Sequence, residues 1–193
     1  MAIDKTREKI LDVADKLFGK FGFHKTSMDE IAKISRKAKG SLYYHFSSKE
    51  ELFKEVVSNE IINFKKQLSE IVNNKKEKPS NRIKKFLITR MKLLNDAANY
   101  HDTLRADFFE HYHFIDDLRA AHDEWEKTML KQLVLEGVEN GEFVVNTDLD
   151  TTLDVILMTV KGLEIPFFLQ EKYEKYHTNF EYLVEVYVDA FKK

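Results

Sequence analysis

Apolar residues recur at helical spacing along almost the whole chain. In the first segment Ile10, Leu11, Ala14, Leu17, Phe18 and Phe21 predict a helix with one apolar face that stops at Gly22. The stretch TSMDEIAKI then sets Ser27 and Glu30 at capping-box spacing and offers Met28, Ile31, Ala32 and Ile34 for contacts along a second short helix. After a turn near SRKA a third helix starts close to Lys39, and its Leu42 and Phe46, four positions apart, can plug the space between the first two. Three short helices are the minimum for a helix-turn-helix head, whose second motif helix enters the major groove of DNA.

The register changes beyond Lys49. Leu52, Phe53, Val56, Val57, Ile61, Ile62, Phe64 and Leu68 make a long amphipathic helix leading away from the head. NNKKEKPS reads as a break before a helix in RIKKFLITRMKLLNDA, and residues 115–138 form a further long helix ending near Asn140 and Gly141. TTLDVILMTVKGLEIPFFLQ is bent or broken near Pro166, and NFEYLVEVYVDAF carries the last apolar stripe. No internal repeat or low-complexity tract is evident. The expected architecture is all-α, with a three-helix head in residues 1–48 and a larger helical body in residues 49–193.

Composition narrows the class. With 193 residues, 43% hydrophobic, 33% charged and only two Pro and six Gly, the chain suits a mostly helical protein with a substantial core. The absence of Cys excludes both a disulfide framework and a Cys-ligated zinc site. No apolar run approaches 18 residues and MAIDKTREKI lacks a signal-peptide core, so a cytoplasmic location without a membrane partner is expected. The net charge of −2 hides an asymmetry. Residues 1–50 hold eleven Lys or Arg against seven Asp or Glu, whereas the remainder holds twenty against twenty-six, which suggests an anion-binding head on an acidic body.

The third helix carries the candidate chemistry. In KGSLYYHFSSKEEL, one face packs through Leu42 and Phe46, leaving Lys39, Ser41, Tyr44 and His45 to meet a polyanion. Lys39 is the first candidate for contact with a base edge and Ser41 a weaker one, while Gly40 permits close backbone approach. Tyr43, Tyr44, His45 and Lys49 suit phosphate positioning, contributing affinity more than sequence choice. A half-buried packing role for the tyrosines in a helical scaffold is the competing reading.

The order GFHKTSMDEIAKI, a turn, then KGSLYYHFSSKEEL resembles the DNA-binding head of the TetR family of transcriptional regulators, over about 45 residues from Ile10 to Leu52. The resemblance implies phosphate contacts around Thr26 and Ser27 and at Tyr43, Tyr44, His45 and Lys49, with operator reading by the helix carrying Lys39, Gly40 and Ser41. One part departs from the family pattern. Ser35, Arg36, Lys37 and Ala38 stand where many members have Ala-Gly-Val-Ser. An arginine at the left-handed turn position costs roughly 1 kcal/mol, and Lys37 can only snorkel where valine would pack. Both add positive charge beside the DNA-facing surface.

Leu87, Met91, Leu94, Phe108, Phe109, Trp125, Met129, Leu133, Ile156, Met158, Phe167 and Phe168 could line a common interior in the body. They are ordinary core material, and soft Met and flat aromatic side chains also suit a cavity for an organic molecule. The family resemblance implies such an effector site, with Leu87, Met91, Phe108, Phe109, Trp125, Met129, Met158, Phe167 and Phe168 as its candidates. A mostly apolar ligand with one polar or acidic end is expected. The resemblance further implies a homodimer joined through the last two long helices, repression of double-stranded operator DNA relieved by the effector, and no cofactor. Two other classes compete: a helical interaction scaffold without specific DNA binding, and an enzyme. The second rests on His101, Asp102, Glu110, His111, His113, Asp116 and Asp117, whose spacing matches no recognised zinc motif and places His111 and His113 off a shared helix face.

Overall fold

A computed structural model describes residues 2–109 and 113–192, with side chains described for residues 5–105 and 113–192. Among these, the chain forms helices α1 (Ala2–Phe21), α2 (Met28–Ser35), α3 (Lys39–His45), α4 (Lys49–Asn73), α5 (Pro79–Asn95), α6 (Ala98–Phe109), α7 (Asp116–Glu139), α8 (Leu149–Gly162) and α9 (Tyr173–Asp189). A short 3-10 turn, His113–Ile115, precedes α7, and a π-helical turn, Ile165–Leu169, follows α8. The all-α architecture is the one the periodicity predicts. Helix α6 is the element it does not reveal, because the polar run HDTLRAD masks a helix whose apolar side is short.

The chain divides into two compact units, Met1–Ile62 with Ala97–Asp117, and Asn63–Asp96 with Leu118–Lys193. The first unit therefore extends beyond the three-helix head of residues 1–48. The physical reason is its core: Leu52, Phe53, Val56 and Val57 of α4 are buried with Ile10, Ala14, Phe18, Ile31 and Leu42. The Phe53 ring meets Phe18 edge-on at 5.1 Å and Phe23 at 5.0 Å. Helix α6 joins the same unit. Glu60 accepts hydrogen bonds from the Asn99 and Tyr100 amides in the first turn of α6, and Asn99 Nδ2 donates to Glu60 at 2.8 Å and to Asp15 at 2.7 Å. A side chain from another helix thus supplies the cap that α6 lacks locally.

In the second unit α5 packs along α9. Ile83, Phe86, Leu87, Met91 and Leu94 of α5 are buried, as are Leu130, Leu133 and Val134 of α7 and Phe180, Val184 and Val188 of α9. Pro79 opens α5 at a position where a missing amide costs nothing. The bend expected near Pro166 is the π-helical turn, which carries buried Phe167 and Phe168 and begins directly after buried Glu164. Gly137 is required by packing, since a Cβ there would lie 2.0 Å from the buried Phe143 ring.

Candidate nucleic-acid interface and interior polar site

Three local devices position the exposed face of α3. The first is the turn after α1, where Gly22 adopts φ +83° and the Phe23 amide donates to Asp102 Oδ2 at 2.7 Å. Thr26 is buried, and its hydroxyl donates to Gly22 O at 2.9 Å. The Lys49 ammonium donates to the carbonyls of Phe23 (2.9 Å) and Thr26 (3.2 Å) and lies 4.2 Å from the Phe23 ring centroid. The second device is the Ser27–Glu30 capping box, present in full: the Glu30 amide donates to Ser27 Oγ and the Ser27 amide donates to Glu30. The backbone and hydroxyl hydrogen bonds from Ser27 hold the Glu30 carboxyl below the usual carboxylate range.

The third device is the turn between α2 and α3. Arg36 sits at φ 56°, ψ 44°. Its amide donates to Lys33 O and the Lys37 amide donates to Ala32 O, the paired bonds of a Schellman motif. A non-glycine residue therefore occupies the left-handed position, as its place in the sequence implied. Replacing Arg36 by glycine is expected to stabilise the first unit by about 1 kcal/mol by relieving that backbone cost. Urea melts monitored by circular dichroism check this, and an unchanged or lower midpoint would show that the arginine side chain offsets the strain. The Lys37 ammonium reaches Thr6 Oγ1 at 3.1 Å and fastens the turn to α1.

With the turns fixed, α3 divides cleanly. Leu42 and Phe46 are fully buried. Lys39 and Gly40 are exposed, Ser41 and His45 half-exposed, and Tyr43 and Tyr44 are 44% and 74% exposed. A Cβ on Gly40 would meet nothing, so its backbone is open to a large partner. Lys39 pairs with Asp29 at 2.7 Å, both side chains being well exposed, and that hydrogen bond raises the Lys39 pKa. So exposed a pair is screened by water and readily exchanged for another partner. Of the residues singled out in the sequence, Ser27, Lys39, Gly40, Ser41, Tyr43, Tyr44 and His45 are at least partly accessible, whereas the Thr26 side chain and the Lys49 ammonium are engaged within the turn.

The second unit holds a polar site that the sequence pattern did not reveal. Arg90 is fully buried; its Nε donates to Glu126 Oε1 at 2.7 Å and its Nη2 to Glu164 Oε1 at 2.6 Å. His122, 2% exposed, places Nε2 3.9 Å from Glu126 Oε1. Burial first, and the Arg90 charge second, depress the His122 pKa from 6.5 to about 3, so the imidazole is neutral at ordinary pH. Glu126 Oε2 and His122 Nδ1 are buried without a hydrogen-bond partner. The surrounding wall is aromatic: His122 meets Phe64 edge-on at 5.0 Å and lies near-parallel to Trp125, which also neighbours Phe86. The signal was available in the helical register, because Arg90 falls on the same face as Leu87, Met91 and Leu94, and His122 and Glu126 on the face of Leu130 and Leu133.

His122 has a testable consequence. The unfolded chain takes up a proton below about pH 6.5 that the folded chain refuses until about pH 3, so stability should fall with pH through that window by at most about 1.4 kcal/mol per unit. Asp15 and Glu60, both raised by burial, act in the opposite direction near the carboxylate range. The diagnostic quantity is therefore the difference between the protein and His122→Leu in urea melts from pH 7 to 4.5. The variant should lose less stability on acidification, and parallel curves would contradict the assignment.

The candidate effector residues divide. Leu87, Met91, Phe167 and Phe168 are buried, and Trp125 and Met129 are half-buried. Met158 does not join an interior: it is 63% exposed on α8, on the side of the helix that also exposes Val155. The side chains of Phe108 and Phe109 lie outside the described residues, as do Glu110 and His111 of the competing enzyme reading. Of that group, Asp102 accepts the Phe23 amide and His113 pairs with Asp116. No described helix is long and apolar enough to cross a membrane.

Helices α1 to α3 form a helix-turn-helix-like head, and the rest of the chain forms a larger helical body. Residues 10–56 match the family model described as bacterial regulatory proteins, tetR family. Over 163 residues, 81% of this chain and 83% of the relative, the sequence is 29% identical to the HTH-type transcriptional regulator QacR of Staphylococcus aureus. The fold is similar to a transcriptional regulator from Cytophaga hutchinsonii (TM-score 0.78, 21% identity, covering 96% of this chain and 98% of that one). It is also similar to a SmeT–triclosan complex (TM-score 0.77, 16% identity, 98% and 92%). Residues 10–56 thus carry the N-terminal domain that the tetR family model describes, and the whole chain is similar in sequence to one such regulator and in fold to others.

Proposed function

We propose that this chain is a homodimeric repressor whose paired α3 helices read two half-sites of an operator and whose second unit binds a small organic effector that releases the DNA. The observation that carries the reading is the split of α3, with Leu42 and Phe46 locked into the core and Lys39, Gly40, Ser41, Tyr43 and Tyr44 presented outward. Lys39 and Ser41 address base edges, while Tyr43, Tyr44, His45 and the amides around Ser27 hold phosphates. Lys37 and Lys49 act through the turns they fasten. Dimerisation is supported by apolar side chains left exposed on the last two helices: Val155 and Met158 on α8, and Tyr176, Tyr182 and Val186 on α9.

The effector is expected to be amphipathic, its apolar part against Leu87, Met91, Phe167 and Phe168 and its polar end near half-buried Trp125 and Met129. Apolar burial supplies roughly 25 cal/mol per Å² and a few polar contacts set orientation. The similar SmeT structure is a complex with triclosan, which supports a small-molecule effector here as well. Sedimentation of the protein with a labelled operator duplex tests the assembly. Each operator should bind an even number of chains, with affinity falling steeply as salt rises because phosphate contacts release counterions. Binding of single chains, or binding indifferent to salt, would contradict it.

A further inference from the structure

A lysine alone is a poor reader of sequence. Its flexible four-carbon stem lets the ammonium swing between a base edge and the flanking phosphates, and phosphates are the same on every duplex. What Lys39 can discriminate therefore depends on what holds its ammonium. Among the described residues that group is the Asp29 carboxylate, with Lys39 Nζ 2.7 Å from Asp29 Oδ1.

Both ends of this tether stand on fixed backbone. Asp29 lies in the first turn of α2, inside the Ser27–Glu30 capping box, where an acidic side chain suits the unsatisfied helix amides. Lys39 opens α3, and the paired bonds from the Arg36 and Lys37 amides fix the turn that joins the two helices. The side chains are 60% and 66% exposed, so the pair is no brace for the core. It crosses from α2 to α3 at the solvent surface, next along the chain to Gly40, whose backbone is open.

In water such a pair contributes little. Its weight changes once α3 is seated in a groove, because water is displaced and charges interact more strongly as the local dielectric falls. Lys39 can stay with Asp29 and turn its remaining N–H donors to acceptors on a base edge. If it leaves for a phosphate, the Asp29 carboxylate is stranded facing a polyanion. The paired geometry thus penalises the contact that is blind to sequence.

We propose that Asp29 is a specificity-determining residue, which positions the Lys39 ammonium for the O6 and N7 acceptors of guanine and withholds it from phosphate. Asp29 acts through Lys39, so it is a positioning residue. The inference deepens the operator reading above and rests on it. On a duplex without guanine at that position the pair stays closed, and Lys39 neutralises no phosphate.

The test compares the full-length protein, Asp29→Asn, Lys39→Ala and the double variant by competition anisotropy over a range of salt concentrations. Three duplexes are used: an operator selected from a random library, the same operator with its guanine most sensitive to Lys39→Ala replaced by adenine, and an unrelated sequence. Circular dichroism establishes that each variant is folded, and Asp29→Ser takes the place of Asp29→Asn if the latter is not. Asp29→Asn should bind the unrelated duplex severalfold more tightly. Its plot of log affinity against log salt should steepen by about 0.9, since one more phosphate is neutralised. Its preference for guanine over adenine should fall by about tenfold. In the Lys39→Ala background the same change should leave preference and salt slope nearly unaltered, which separates a tether from a simple loss of negative charge. Undiminished preference in Asp29→Asn, or an equal shift with and without Lys39, would overturn the tether while leaving base reading by α3 intact. A Lys39→Ala protein that discriminates as well as its parent would overturn the base reading itself.

Discussion

Replacing Arg90 by methionine is expected to destabilise the protein by about 3–5 kcal/mol, the cost of breaking a buried ion pair by removing one partner. The guanidinium is fully buried and donates to Glu126 and Glu164 at 2.7 and 2.6 Å. Methionine matches its length but leaves two carboxylates in a site walled by Phe64, Phe86 and Trp125. The triple change Arg90→Met, Glu126→Gln, Glu164→Gln removes every formal charge of the triad and should recover most of the loss, because replacing a whole buried pair is often near neutral. Urea melts of the three proteins at pH 7 check this. A loss under about 1 kcal/mol for Arg90→Met would mean that water already solvates the cluster.

Changing Lys39 to alanine is expected to weaken the best operator by about one to two orders of magnitude and to flatten the preference over related sequences, because a base-edge contact carries discrimination as well as affinity. Its only described partner is the exposed Asp29 carboxylate, so the fold should be unaffected. Lys49→Ala is expected to differ in kind. The Lys49 ammonium closes the carbonyls of Phe23 and Thr26, and hydrogen bonds to a charged group are worth about 1.5–3 kcal/mol. Its loss should lower stability and weaken all duplexes alike, through the turn that seats α2. Competition anisotropy with circular dichroism separates the two. Equal losses on every duplex from both variants, with no change in preference, would contradict the division of roles.

Much of this was legible because helical register is a strong signal. The Ser27–Glu30 box and the burial of Leu42 and Phe46 follow from local chemistry and spacing, the left-handed turn at Arg36 only from the family resemblance, and the structure has all of them. What escaped depends on distant partners. Lys49 reads as a surface cation until the carbonyls of Phe23 and Thr26, far away in sequence, are brought to it. Helix α6 is capped by Glu60 of α4, which no local motif announces. Met158 looked like lining for an apolar interior because its neighbours are apolar, yet its turn of α8 faces outward. Arg90, His122 and Glu126 interrupt apolar stripes in the sequence, whereas in the fold they form an interior polar cluster.

The central claim is that the exposed face of α3 reads DNA sequence. The most direct measurement is selection of full-length protein against a random duplex library, repeated with Lys39→Ala. The protein should enrich two related half-sites in inverted orientation at fixed spacing, and the variant should lose that preference while still retaining duplexes at low salt. Enrichment of no sequence at any salt concentration, or the same enriched sequence from both proteins, would contradict it.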